Sequence, residues 1–195
     1  MSNSILDLVM SQLGGGAMKQ LGQQAGVDEK QAESGLKASI PLLLGAMERN
    51  AADDQGANAI KGALERDHDG SILDNIQGFL GDPKKANGAG ILKHVLGGKR
   101  EAVEGKMAKQ AGIDKGAMGK LMEMAAPLLL GALGKQQRSE GLDIGQLAGF
   151  LGGQREQSEK SAGMLGLVEG FLDADKDGSV LDDLADMAGN FFGKK

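Results

Sequence analysis

The chain has 195 residues, 41% of them hydrophobic and 25% charged, with a formal net charge of -5. This is the balance of a globular protein of one compact domain or two small ones, and an acidic surface argues against nonspecific binding to nucleic acid or acidic lipid. Cysteine is absent, which excludes disulfides, thiolate metal sites and a cysteine nucleophile.

The first sixteen residues, MSNSILDLVMSQLGGG, place Ile5, Leu8, Val9 and Leu13 at helical spacing. They carry no basic region ahead of the apolar part and no cleavage signal, and no apolar run approaches the roughly 20 residues that span a bilayer. A cytoplasmic protein is therefore the default expectation, with signal-less export left open. The following GGGAMKQ (14–20) lacks the Gly-Lys-Ser/Thr ending and the preceding strand of a phosphate loop.

In QAGVDEKQAESGLKASIPLLLGAM (24–47), Gly26 suits a helix end, Asp28 suits the next cap, and Gln31 stands at the capping-box position. Pro41 is expected in the first turn of a helix, and the Leu-Leu-Leu-Gly-Ala behind it reads as buried on all sides. The same stretch has the cadence of a helix-turn-helix, but its second helix is charge-balanced where a DNA reader presents a basic recognition face.

Residues 65–75, ERDHDGSILDN, form an Asp-rich loop. ILKHVLGGKR (91–100) then continues the helical spacing through Ile91, Leu92, Val95 and Leu96. The two histidines fall in these segments, His68 read as solvated in the loop and His94 as partly buried on a helix. No serine, histidine and acid assemble into a recognisable triad and no HExxH is present, so a catalytic role is not expected.

A second pass begins near residue 101. QAGIDKGAMGKLMEMAAPLLLGAL (110–133) lies without gaps on 24–47, with Gly112, Asp114 and Pro127 in the places of Gly26, Asp28 and Pro41. QLAGFLGGQR (146–155) echoes 91–100, and DADKDGSVLDD (173–183) copies the loop at 65. Between them Leu165, Val168, Phe171 and Leu172 are again spaced as a helix. The expectation is a tandem duplication, with units at 1–100 and 101–195 that either share one core or fold apart. No alternating strand is found, so the class is all-α, a multi-helical bundle of short helices joined by Asp-rich loops. Glycine, at 33 residues against a usual share of about 7%, reads as helix punctuation and close packing.

These motifs in combination, Gln-Ala-Gly-[Val/Ile]-Asp, Pro-Leu-Leu-Leu-Gly-Ala, GILKHVLGGKR and DGSVLDDL, resemble the bacterial family of domains of unknown function numbered 937. The resemblance implies a small helical bacterial domain and carries no activity.

The Asp-rich loops are the candidate site. Calcium takes 6 to 8 oxygen ligands, and alternating carboxylates on a turning chain supply them. Asp173, Asp175 and Asp177 stand at positions 1, 3 and 5 of an EF-hand-like loop, with Gly178 at 6, Ser179 at 7 and Val180 at 8. Glu65, Asp67, Asp69, Gly70, Ser71 and Ile72 repeat this order. Position 12 is Leu184, or Ile76 in the first copy, where an EF-hand needs an acid, so closure would fall to Asp182 or Asp183, or to Asp74. Helix capping is the competing reading, with Ser179 and Asp182, or Ser71 and Asp74, as N-cap and capping box. Capping does not explain Asp173 and Asp175.

The expectation is thus a calcium-binding structural or self-assembling scaffold. The alternative is a metal-indifferent helical module for protein interaction; a helix-turn-helix-like DNA binder is a more distant one. Partners are expected to be a second copy or another protein, with no nucleic acid and no membrane. The stretches AGMLGLVEGFL and DMAGNFFGKK, with Phe191 and Phe192, carry acids on their polar faces, which favours packing over a membrane surface.

Overall fold

The computed structural model describes residues 4–141 and 144–163, all of it helix, turn and loop with no strand among the described residues. The all-α expectation holds. Loop 173–183, the apolar positions from Leu165 to Leu172, and Phe191 and Phe192 lie outside the described residues.

Helix α1 (Ile5–Gln12) starts from a capping box between Ser4 and Asp7. Its next free amides are met from far along the chain. Ile5 N–H donates to Gln154 Oε1 at 3.1 Å and Leu6 N–H to Ser158 Oγ at 3.4 Å, which satisfies donors that a helix start leaves without intrahelical partners. Both residues sit on α10 (Ile144–Ala162), which thereby ties α1 to a helix 149 to 152 residues further on.

Helix α2 (Ala17–Ala25) stops at Gly26, whose φ of 86° is the left-handed geometry glycine adopts freely. Asp28 and Gln31 then form the expected capping box of α3 (Glu29–Asn50). Gly112 (φ 67°) ends α8 (Arg100–Ala111) in the same way, and Asp114 caps α9 (Lys115–Glu140). The repeated stretches at 24–47 and 110–133 thus fall on two long helices with matching starts.

The prolines correct one expectation. Pro41 and Pro127 lie in the interiors of α3 and α9, thirteen residues past each capping aspartate (28 to 41, 114 to 127). An interior proline removes an N–H and crowds the carbonyl four residues back, at a cost of about 3 kcal/mol. Burial outweighs it here. Ile40, Leu42, Leu43 and Leu44 beside Pro41, and Leu128, Leu129 and Leu133 beside Pro127, are at most 1% exposed. Each contributes roughly 1.5–3 kcal/mol when taken from water.

The two helices meet where Gly35 faces Leu121, positions that coincide when the repeats are superposed. A methyl at Gly35 would stand 2.6 Å from Leu121 Cδ1, so the glycine is the socket for that leucine. By length and composition α9 could cross a bilayer, which the reading of apolar runs missed, but its apolar window is mostly buried inside the molecule. One continuous core takes in residues from α1 to α10, on both sides of residue 101.

Around this pair run α4 (Asp54–Arg66), the short α5 (Ser71–Asp74) and α6 (Ile76–Gly81), α7 (Gly88–Leu96) and α8. The echoed LGGKR and LGGQR bring two arginines onto the long helices. Arg100 binds Glu104 (2.6 Å) and Glu123 of α9 (2.5 Å), while Arg155 binds Glu159 (3.0 Å) and Glu48 of α3 (2.8 Å). Burial works against each guanidinium charge, but the carboxylates outweigh it and hold both pKa values above the ordinary range.

Candidate functional site

The first Asp-rich loop joins α4 to α5 and is pressed against the last turns of α9. Gly70 makes the turn with a φ of 90° and is itself the N-cap of α5. Ser71 was expected to be that cap. It is instead the first helical residue, and its N–H donates to Asp69 Oδ1 at 3.0 Å. The left-handed glycine shifts the cap one residue upstream. Asp74 forms no capping box; it pairs with Lys135 of α9 at 3.0 Å.

Glycines on α9 make room for this loop. A methyl at Gly134 would overlap the His68 carbonyl oxygen, and one at Gly131 would overlap the Ile72 side chain. Arg138, one turn on from Gly134, donates to the Asp69 carbonyl at 2.9 Å and to the Leu64 carbonyl at 3.5 Å. The site is therefore a pair of small residues that admit the loop, the His68 carbonyl at Gly134 and the Ile72 side chain at Gly131, bracketed by two cations that hold its oxygens. Lys135 and Arg138 were missed from the sequence. The available signal was a cation one and four residues after Gly134, on the face that the glycines clear.

Of the residues proposed as ligands in this loop, Glu65 pairs with Lys61 (3.7 Å), Asp69 is spent on Ser71, and Asp74 on Lys135. The hydrogen bonds from Ser71 and the nearby Arg138 charge lower the Asp69 pKa. Among the described residues, no three histidine, aspartate or glutamate side chains converge as a metal would require. Asp67 is the C-cap of α4. Glu65, Asp69 and Asp74 thus each have a protein partner in this structure. The second set, Asp173, Asp175, Asp177, Ser179, Asp182 and Asp183, lies outside the described residues.

His68 was read as solvated, but it is half-buried. Burial lowers its pKa, and Asp67 and Asp69 offset part of that effect. The unfolded chain therefore binds a proton more readily here than the folded one. Stability from this group is complete above the ordinary imidazole pKa of about 6.5 and is lost as pH falls below it. Urea unfolding from pH 7.5 down to 5.5 is expected to show that loss in the parent chain and a shallower decline in His68→Gln. Identical slopes in the two proteins would remove His68 from the account.

A second place on the molecule has related chemistry. The carboxy-terminal end of α3, the end of α7 with the 3-10 turn Gly97–Lys99, and the start of α8 enclose a cavity of about 330 Å³. Its cationic and imidazole groups are Arg49, His94, Lys99 and Lys106, over an apolar floor that includes Val95 and Val103, and among the described residues no acid lines it. His94, expected to be partly buried, is exposed here.

The helix-turn-helix cadence is present as α2, turn and α3. Further along α3 the residues from Ala38 through Met47 are buried and belong to the core.

The sequence pattern of the bacterial proteins of unknown function DUF937 matches residues 7–136. The chain belongs to that family. No curated protein and no solved structure matches it. The DUF937 match takes in the first Asp-rich loop, Gly131, Gly134 and Lys135, together with the cationic cavity. It stops short of Arg138 and of the second Asp-rich segment.

Proposed function

We propose that this DUF937 protein is a non-catalytic, metal-indifferent helical interaction module whose Asp-rich segments are docking elements gripped by cationic helix ends. The observation that carries the reading is the seating of loop 65–75 on α9. Gly134 and Gly131 admit the His68 carbonyl and the Ile72 side chain, Lys135 takes Asp74, and Arg138 takes the Asp69 carbonyl. The cavity at α3, α7 and α8 offers a second surface of the same character, basic over an apolar floor.

The double variant Lys135→Ala/Arg138→Ala removes an exposed ion pair and a charged hydrogen bond, together about 1–2 kcal/mol. Amide exchange of Ser71 to Leu73 is expected to accelerate about tenfold, equally in chelator and in calcium. Restoration of protection by calcium alone would sink the metal-indifferent reading and return the loop to cation binding.

Calcium at the second segment is the second reading, favoured by the alternation of Asp173, Asp175 and Asp177 ahead of Gly178. Calorimetry on chelated full-length protein tests it, with a binding heat that Asp175→Ala and Asp177→Ala abolish as its signature.

A further inference from the structure

We propose that the second Asp-rich segment, 173–183, docks on the carboxy-terminal end of α3 and the cationic cavity beside it, with Asp182 paired to Arg49. This rests on the reading of Asp-rich segments as docking elements and names the occupant of the second surface.

The observed seating of the first loop supplies the template. Laid on the first copy, the second puts Gly178 in the place of Gly70, Val180 in that of Ile72, and Asp182 in that of Asp74. The receiving helices correspond too. Superposing 24–47 on 110–133 places Gly45 where Gly131 stands, and two residues past that stretch Arg49 falls where Lys135 stands. The contacts Ile72 to Gly131 and Asp74 to Lys135 then become Val180 to Gly45 and Asp182 to Arg49. Each changed position keeps its chemistry, one β-branched residue for another and one cation for another.

Charge and reach agree with this. The segment 173–183 holds five aspartates against one lysine, Lys176, and the described residues lining the cavity include Arg49, Lys99, Lys106 and His94. Such complementary fields steer and orient a docking segment.

The described chain ends at Gly163, just past α10, and Ala162 lines a shallow pocket with Ala38 and Lys37 of α3. From Ala38 to Arg49 is eleven residues of helix, about 16 Å. The nine residues from 164 to 172 span about 14 Å if wound as a helix and about 30 Å if extended. The tether therefore reaches without strain.

Two positions differ between the receiving helices, and they shape the docking. Gly134 is replaced by Glu48, which Arg155 holds at 2.8 Å, so the second segment cannot lay its backbone on α3 as closely as His68 does on α9. Arg138 is replaced by Ala52. Lys99 and Lys106, from the far wall of the cavity, supply cationic charge in its stead.

Because the chain has no cysteine, Val180→Cys gives a single thiol at the residue expected to pack on Gly45. In the full-length protein its labelling by a maleimide is expected to be about tenfold slower than in a synthetic peptide of residues 170–186 carrying the same cysteine. Arg49→Glu and Asp182→Arg, each at an exposed or charged position, should each return the rate to that of the peptide. The combined reversal should restore protection. Circular dichroism on each variant reports that the helices persist.

Labelling at the peptide rate in the parent chain, protection unmoved by either reversal, or no rescue in the pair overturns the inference. Protection that vanishes on about hundredfold dilution assigns the segment to a second copy and overturns the intramolecular docking. The Lys135/Arg138 experiment probes the other loop. Success there with failure here sinks this inference alone, while failure there sinks the reading beneath it.

Discussion

Arg100→Met is expected to lower the free energy of unfolding by about 3 kcal/mol, one of the largest single-residue losses this structure implies. Arg100 lies between two carboxylates, Glu104 on its own helix and Glu123 on α9. Its side chain is 26% exposed and that of Glu104 only 10%. Methionine keeps much of the aliphatic bulk and removes only the charge and the donors. What remains is a carboxylate largely excluded from water and deprived of its counter-charge, which costs far more than a surface ion pair contributes.

Thermal unfolding should register this as a fall of roughly 10 °C, at about 2–4 °C per kcal/mol for chains of this size. Arg100→Met/Glu104→Leu should recover most of the loss, since an apolar pair of similar volume avoids the stranded charge. A single variant within about 1 kcal/mol of the parent would show that Glu104 is solvated in a way its burial does not suggest.

The contrast between legible and illegible parts of this chain follows from the range of the interactions involved. The Asp28–Gln31 box and the glycine stops at Gly26 and Gly112 are decided within five residues, and they were read correctly. The Leu-Leu-Leu-Gly-Ala runs also declared their burial, because a helix apolar on all sides has no face to give to water. Pro41 and Pro127 were misplaced by the same local reasoning. The preference for a first turn is worth a few kcal/mol at most, and several fully buried leucines outweigh it.

Ser71 was misread because Asp-Gly-Ser offers two caps. The choice between them depends on the φ of Gly70, which contact with α9 helps to set. Lys135 and Arg138 lie more than sixty residues from the loop they hold, and Arg49 lies fifty from Lys99 (49 to 99). No periodicity in the sequence brings such residues together. That some glycines mark points of close approach was legible from their number, though not which ones. That Gly131 and Gly134 are such points, and that a polar loop approaches them, was not.

That last point can be tested at one position. Gly134→Ala is expected to cost about 1–3 kcal/mol, the range for forcing extra volume into a packed contact. Alanine is otherwise the better helix former by about 1 kcal/mol, so a helix-propensity argument alone predicts the opposite sign. The cost arises because the added methyl would overlap the carbonyl oxygen of His68, a backbone atom that cannot turn aside as a side chain would. To admit it the loop has to lift from α9, and lifting stretches the Arg138 bonds to the Asp69 and Leu64 carbonyls as well as the Lys135–Asp74 pair.

The loss should therefore be concentrated in the loop. Hydrogen exchange should quicken from His68 to Leu73 while amides around Leu128 and Leu129, at most 1% exposed, keep their protection. In Lys135→Ala/Arg138→Ala the same methyl should cost less, because the loop there has already lost its grip; the two effects are coupled through one contact and do not add. Stabilisation by Gly134→Ala would mean that the loop does not press on α9, and the docking account would lose the observation on which it stands.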